Sequence, residues 1–284
     1  MNIGPEPMAP SASACLARKW LRACLVVLGA LLASAERPAV ASCLPRAFFA
    51  PEGTTLGPSP TLYLFSPIKS GVLRLDARTA DGKVVAAIAT EVSDYSAYRV
   101  FRIAVASAAD FAISASVEVS QAETEAFVGT LSSARSDPPK ATFPLKMNLA
   151  TARFRIGPLA ERRPVSSVGI AGMDAEESKW TCSFQQTRNL LLTVDAPAFR
   201  LEWAKTAEDY HQRRREALVL PAFRQGGKTL VKLGHLDCVG WTFPWTGGDV
   251  FVGVAALHAD GSETPAASEP FRLARPADSP STAP

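Results

Sequence analysis

The run Phe111-Ala112-Ile113-Ser114-Ala115-Ser116-Val117-Glu118-Val119-Ser120 alternates without a break, placing Phe111, Ile113, Ala115, Val117 and Val119 on one face of an extended chain. Successive side chains of a strand point to opposite sides, whereas a helix brings together residues three and four apart. The run is therefore a half-buried β-strand. Leu62–Phe65, Gly71–Leu75 and Tyr98–Val105 read the same way, and Asp81-Gly82 is a hairpin-type turn between apolar runs. Strand signals continue at Ala152–Ile156, Trp180–Phe184, Leu190–Val194, Phe199–Trp203, Thr229–Leu233, Asp237–Thr242 and Val250–Leu257, punctuated by Gly226-Gly227, Gly247-Gly248 and Asp260-Gly261. Short strands separated by turn residues, with no long stretch of helical period, predict an all-β fold built of β-sandwiches. One segment departs from the pattern. Residues 206–217 carry acids early and bases late behind Thr206, an order that suits the helix dipole and an N-cap, and predict a short surface helix or helical loop.

The start of the chain has a different character. Arg18, Lys19 and Arg22 precede an uncharged apolar stretch from Ala23 to Ala35, which Glu36 and Arg37 close. That length suits the core of a signal peptide and falls short of the ~18 apolar residues a spanning helix needs. Residues 1–41 are read as an export signal cut after Ala39-Val40-Ala41. Val40-Ala41-Ser42-Cys43 supports an alternative in which Cys43 is lipidated, although Glu36, Arg37 and Pro38 interrupt the apolar run that usually reaches such a cysteine. The chain that remains is expected to be exported, to a periplasmic, outer-surface or extracellular location, and to contain no transmembrane segment.

Removing residues 1–41 leaves 26 of the 30 basic and 25 of the 27 acidic side chains. A balance so close to neutral lacks the clustered cations that displace counterions from phosphates, so nucleic acid is excluded as an expected partner. The remaining length suggests two domains. The alternation stops around Arg135-Ser136-Asp137-Pro138-Pro139-Lys140, since neither proline can donate to a sheet ladder. The expected division is therefore 42–136, a linker at 137–140, and 141–275 with the helical insertion near 206–217. The tail 276–284 is small, polar and proline-rich, and is expected to be disordered.

Pro51-Glu52-Gly53-Thr54-Thr55-Leu56-Gly57-Pro58 leading into Leu62-Tyr63-Leu64-Phe65-Ser66-Pro67 resembles the first strands of bacterial Ig-like domains. Asp137-Pro138-Pro139 looks like the linker that follows such domains in exported bacterial proteins. Ala255-Ala256-Leu257-His258-Ala259-Asp260-Gly261-Ser262-Glu263-Thr264 is similar to the closing hairpin of fibronectin type III-like modules. The resemblance implies an Ig-like β-sandwich followed by a fibronectin III-like one. It also implies an adhesive, binding or spacer role, since such modules usually serve in that way.

Residues that carry chemistry are sparse. The only histidines, His211, His235 and His258, show no metal-ligand spacing. In a strand His235 and Asp237 face away from Cys238, so no metal is expected there. No Gly-x-Ser-x-Gly elbow and no phosphate-binding glycine loop occurs. Asp174, Glu176 and Glu177 would form a carboxylate pair or a calcium site if they converged, but Gly172 and Lys179 favour a solvated loop. Trp241, Phe243 and Trp245 admit two readings, an aromatic platform for a protein or carbohydrate partner and a buried core stripe. Arg213-Arg214-Arg215, flanked by Glu208, Asp209 and Glu216, reads as a solvated, self-paired face. No catalytic residue and no cofactor is expected. The leading expectation is a non-enzymatic binding or spacer protein of the bacterial cell envelope or secretome; the alternative is an exported carbohydrate-active or other hydrolytic enzyme with a loop-built site.

Five cysteines leave three once Cys15 and Cys24 depart with the signal. Cys182 alternates with Trp180 and Phe184 on an apolar face, and Cys238 shares its face with Leu236 and Gly240, so both are expected to point inward and bridge the two sheets of the second sandwich as a disulfide. Cys43 is then the odd one out.

Overall fold

The computed structural model describes residues 46–95, 98–120, 145–158, 165–180, 183–236, 240–243 and 248–274. The described residues are all-β apart from one short helix. Its first half supplies β1 (Phe48–Ala50), β2 (Thr55–Leu56), β3 (Thr61–Ser66), β4 (Val72–Thr79), β5 (Ala86–Asp94), β6 (Arg99–Ala106), β7 (Phe111–Val119) and β8 (Leu145–Ile156). These form two four-stranded sheets, β1-β3-β6-β5 and β2-β8-β7-β4. Period-two alternation sends Leu62, Leu64, Phe101, Ile103, Phe111, Ile113 and Phe154 into the space between the sheets, where they make one buried core. The face predicted for β7 is the buried one, with all five of its apolar residues between 0% and 5% exposed.

The turn at Asp81-Gly82 forms as expected, with the Gly82 N–H donating to the Thr79 carbonyl oxygen at 2.9 Å. The strands around it pair only through the bridge Arg78–Val84, because the chain then crosses to the other sheet.

Residues 145–156 correct the expected division of the chain. The strand falls within the expected second module, 141–275, yet β8 pairs with β7 along its length, from Phe111–Phe154 to Val119–Leu145, and lies parallel to β2. The reason is register: Phe154 is needed to fill the first core, against Phe111 and Phe49. The change from one pair of sheets to the other thus falls after Ile156, while the expected linker at 137–140 lies outside the described residues.

The second half supplies β9 (Ile170–Trp180), β10 (Ser183–Leu192), β11 (Ala198–Ala204), α1 (Ala207–His211), β12 (Glu216–Pro221), β13 (Phe223–Gln225), β14 (Lys228–Leu236), β15 (Gly240–Trp241), β16 (Val250–Leu257), β17 (Glu263–Thr264) and β18 (Phe271–Leu273). The path β13-β14-β10-β9, with β15 on β14, faces β12-β11-β16-β17, with β18 on β16. Leu190, Val231 and Leu233 from one sheet meet Phe199, Leu201, Trp203, Val252 and Val254 from the other. Two local expectations change here. Trp180 and Ser183, read as parts of one strand, belong to two, standing opposite each other at the end of β9 and the start of β10. Asp174–Lys179, read as a solvated loop, is the middle of β9, because its backbone pairs residue by residue with β10.

The described residues belong to one compact unit, and the two pairs of sheets meet face to face. Tyr63, Phe65, Tyr98 and Val100, on the outer face of β1-β3-β6, form a buried cluster with Ala198 and Val219, on the outer face of β11 and β12. Phe65 stacks on Phe48 at 5.0 Å and meets Tyr98 edge-on at 5.9 Å. Polar contacts border the seam: the Thr61 N–H donates to the Ala259 carbonyl at 2.6 Å and the Val219 N–H to Ser93 Oγ at 3.2 Å.

Candidate functional site

The alternation that sends Phe199, Leu201 and Trp203 inward leaves Arg200 and Glu202 on the outer face of β11, beyond the edge of the seam. Across the sheet they stand opposite Ala255 and Gly253 of β16 and Val219 and Ala217 of β12, so small side chains surround two charged ones. This strip floors a cleft of about 670 Å³, walled on one side by α1 with the turn after it and on the other by residues 265–268.

The wall is set by local chemistry. Thr206 caps α1, its Oγ1 accepting from the Asp209 N–H at 3.0 Å. The helix is shorter than the expected 206–217 and ends at His211; Arg213 follows with a positive φ of 59°, and the chain re-enters the sheet at Glu216. Tyr210 is turned onto the floor, where its Oη lies over Gly253, a position at which any Cβ would overlap the phenol. Burial raises the Tyr210 pKa, partly offset by Arg215, whose guanidinium lies 4.2 Å from the Tyr210 ring centroid.

The charges of the floor are paired with one another. Arg200 donates to both oxygens of Glu263 at 2.7 and 2.6 Å and to Glu202 at 3.1 Å. Arg215 also bonds Glu202. Burial works against the Arg200 charge, but Glu263 and Glu202 outweigh it and raise the pKa. Both acids therefore face arginine instead of the opening. At the rim, Arg214 lies 3.8 Å from Asp209 and His211 lies 3.8 Å from Glu269, while Arg213 has no acidic partner among the described residues. Within Arg213–Arg215 the expected pairing with a flanking acid occurs at Arg214, with Asp209, whereas Arg215 turns to Glu202 of β11.

A second hollow, of about 840 Å³, lies where Phe48–Leu56 of the first pair of sheets approaches Thr193–Pro197 of the second. Its lining is mainly apolar, with the Arg224–Asp195 ion pair at the side.

Of the aromatic patch, Phe243 is 0% exposed and meets Trp203 edge-on at 5.3 Å, so it is core and not platform. Its neighbour Thr242 is as buried, donating from Oγ1 to the Lys232 carbonyl at 2.9 Å, which breaks the expected alternation. The backbone of Trp241 pairs with His235 in β15, and Trp245 lies outside the described residues. Cys43, Cys182 and Cys238 also lie outside them. His258 is buried, its Nε2 at 2.8 Å from Thr264 Oγ1, and no group of three or more metal-ligating side chains occurs among the described residues.

Arg200, Glu202, Tyr210 and Glu263 were not singled out from the sequence. Arg200 and Glu202 carry a signal in retrospect, as the charged members of a strand whose other face is Phe199, Leu201 and Trp203. No protein-family model matches the chain, and no curated protein matches it significantly.

Proposed function

We propose that this chain is a non-enzymatic, extracytoplasmic binding protein of the bacterial cell envelope or secretome, made of an Ig-like and a fibronectin III-like sandwich. The strand order supports the modular reading. β1-β3-β6-β5 facing β2-β8-β7-β4 has the four-against-three arrangement of immunoglobulin constant domains, with β2 added beside the last strand. β9-β10-β14 facing β12-β11-β16-β17 suits the order the fibronectin III resemblance implies, and β16–β17 is its closing hairpin.

The observation that carries the functional reading is the state of the acids in the charged cleft. A hydrolase of the two-carboxylate kind needs an acid and a base facing the substrate, whereas Glu202 and Glu263 are both engaged by arginine. Such a cleft offers a partner Arg213 and the rim of α1 as contacts. No helix among the described residues is long and apolar enough to cross a membrane, and the partner is a protein or carbohydrate outside the cytoplasm. The test is affinity capture from envelope and culture fractions with the exported chain and with Arg213→Glu as bait. A partner lost with Arg213→Glu supports the reading; hydrolysis of a polysaccharide panel, abolished by Glu202→Gln, would replace it with the enzymatic alternative.

A further inference from the structure

On the outer face of the β13-β14-β10-β9 sheet, three strands bring together an amine, a carboxylate and a carboxamide. Asn189 of β10 stands directly opposite Lys232 of β14, and its neighbour Thr187 stands opposite Glu176 of β9. Directly opposed residues have their Cβ atoms roughly 4.5–5.5 Å apart, within reach of a folded lysine side chain. Glu176 Oε2 accepts from Lys232 Nζ at 2.6 Å and from Asn189 Nδ2 at 3.3 Å. One carboxylate oxygen thus touches both the amine and the amide nitrogen. The other end of the amide is also held, since Thr187 Oγ1 donates to Asn189 Oδ1 at 3.0 Å. Asn189 and Thr187 are 3% and 2% exposed, and the Lys232 side chain only 15%.

Attack of an amine on an amide requires a deprotonated nucleophile, a polarised carbonyl and a protonated leaving group. These contacts provide for each. We propose that Lys232 and Asn189 become joined by an intramolecular isopeptide bond, with Glu176 as the proton carrier. Glu176 takes a proton from the Lys232 ammonium, and the neutral Nζ adds to Asn189 Cγ. The Thr187 hydroxyl hydrogen-bonds the oxygen on which negative charge develops. Glu176 returns protons to Nδ2, the Cγ–Nδ2 bond breaks, and nitrogen leaves as ammonium carrying the two protons Nζ has lost. An amine and a primary amide give a secondary amide and ammonia, with no oxidant, cofactor or activated donor. The fixed register supplies proximity, which turns a bimolecular step into an effectively unimolecular one. Near-complete burial of Asn189 keeps water from competing with the amine.

The test is the intact mass of the purified full chain together with a peptide map. The expected mass is below that of the sequence, after any N-terminal processing, by the ~17 Da of one ammonia lost in the coupling, and the map shows one branched species joining the peptides that contain Asn189 and Lys232. Glu176→Ala, Asn189→Ala and Lys232→Arg should each give unbranched peptides, with folding of the Lys232→Arg variant confirmed by circular dichroism. Wild-type chain that maps to separate, unmodified peptides overturns the proposal. So does the same mass loss confined to the Asn189 peptide and persisting in Lys232→Arg, which would be a succinimide.

Discussion

If the two pairs of sheets are locked together through their faces, a charge introduced at the centre of the seam must be far more disruptive than the same charge on the open part of the same surface. Val219 is 4% exposed and packs in the cluster with Tyr63, Phe65 and Val100; Ile88, on the outer face of β5, is 70% exposed. Replacing Val219 by Asp forfeits about 2 kcal/mol of apolar burial and places a carboxylate without a cationic partner among aromatic rings, for a further loss of several kcal/mol. The total, about 4 kcal/mol or more, corresponds to a fall in Tm of roughly 8–16 °C for a chain of this size. It has a ceiling. Once the penalty exceeds the free energy of docking, the seam opens and each pair of sheets keeps its own core, so urea unfolding followed by far-UV circular dichroism, which reports both pairs of sheets, should split into two transitions. Ile88→Asp should stay within about 0.5 kcal/mol of the parent. The Val219→Asp defect should also ease as pH falls, beginning at the raised pKa of the buried carboxyl and complete near pH 4, where the carboxyl of the unfolded chain is protonated too. Equal stability of Val219→Asp and Ile88→Asp would refute the face-to-face packing.

The tyrosines of the seam predict its alkaline limit. Burial pushes the Tyr98 phenol up to about 12 and holds Tyr95 well above the ordinary value. Because the folded state keeps these protons when the unfolded chain has lost them, stability is intact below pH 10 and falls between pH 10 and 12. For Tyr98 the loss is about 2 kcal/mol after allowance for solvent screening; the tyrosinate absorbance should rise together with unfolding and not before it. Tyr95 Oη is buried without a hydrogen-bond partner among the described residues, so Tyr95→Phe should be neutral or stabilise by up to about 1 kcal/mol in denaturant melts. At Gly253 a methyl group would overlap Tyr210 Oη and lie 2.9 Å from its Cζ, so Gly253→Ala should cost about 1–3 kcal/mol, and the same change made in a Tyr210→Ala background should cost much less. Proteolysis between Arg135 and Lys140 should give two fragments that stay together on gel filtration without denaturant, since β7 and β8, on either side of the cut, are paired strands.

Much of the fold was legible because alternation is a local property. β3, β6, β7, β11, β14 and β16 each announce themselves by apolar residues two apart, and the structure buries those residues. Thr206 was legible as a cap for the same reason, its partner being three residues away. What the sequence withheld depends on which strand sits beside which. Nothing local in Leu145–Ile156 says whether it completes the sheet before it or opens the one after it; Phe154 decides the matter only once Phe49 and Phe111 are in place. The run from Asp174 to Lys179 looks like a loop by composition, and it is a strand because β10 pairs with it. Phe243 looks like part of a stripe with Trp241, and it is core because the chain leaves β15 immediately before it. The cleft was harder still, since Arg200, Glu202, Tyr210 and Glu263 come from three elements and meet only through the register of β11 with β16 and β17.

The seam also narrows the role the molecule can play. Sandwiches joined end to end act as spacers because each leaves both of its outer faces exposed and adds its full length to the reach of the chain. Here the outer face of β1-β3-β6 covers Ala198 and Val219, which removes part of one face of each sandwich from contact with partners. What remains of the β12-β11-β16 face is the strip carrying Arg200 and Glu202, and that strip is the floor of the charged cleft. The covering of one end of the sheet and the opening of the other are thus two consequences of a single alternation: Ala198 and Val219 are apolar where the first sandwich meets them, and Arg200 and Glu202 are charged one step further along. A partner approaching this sheet would have only the charged end available to it, which is the ground for proposing binding rather than spacing.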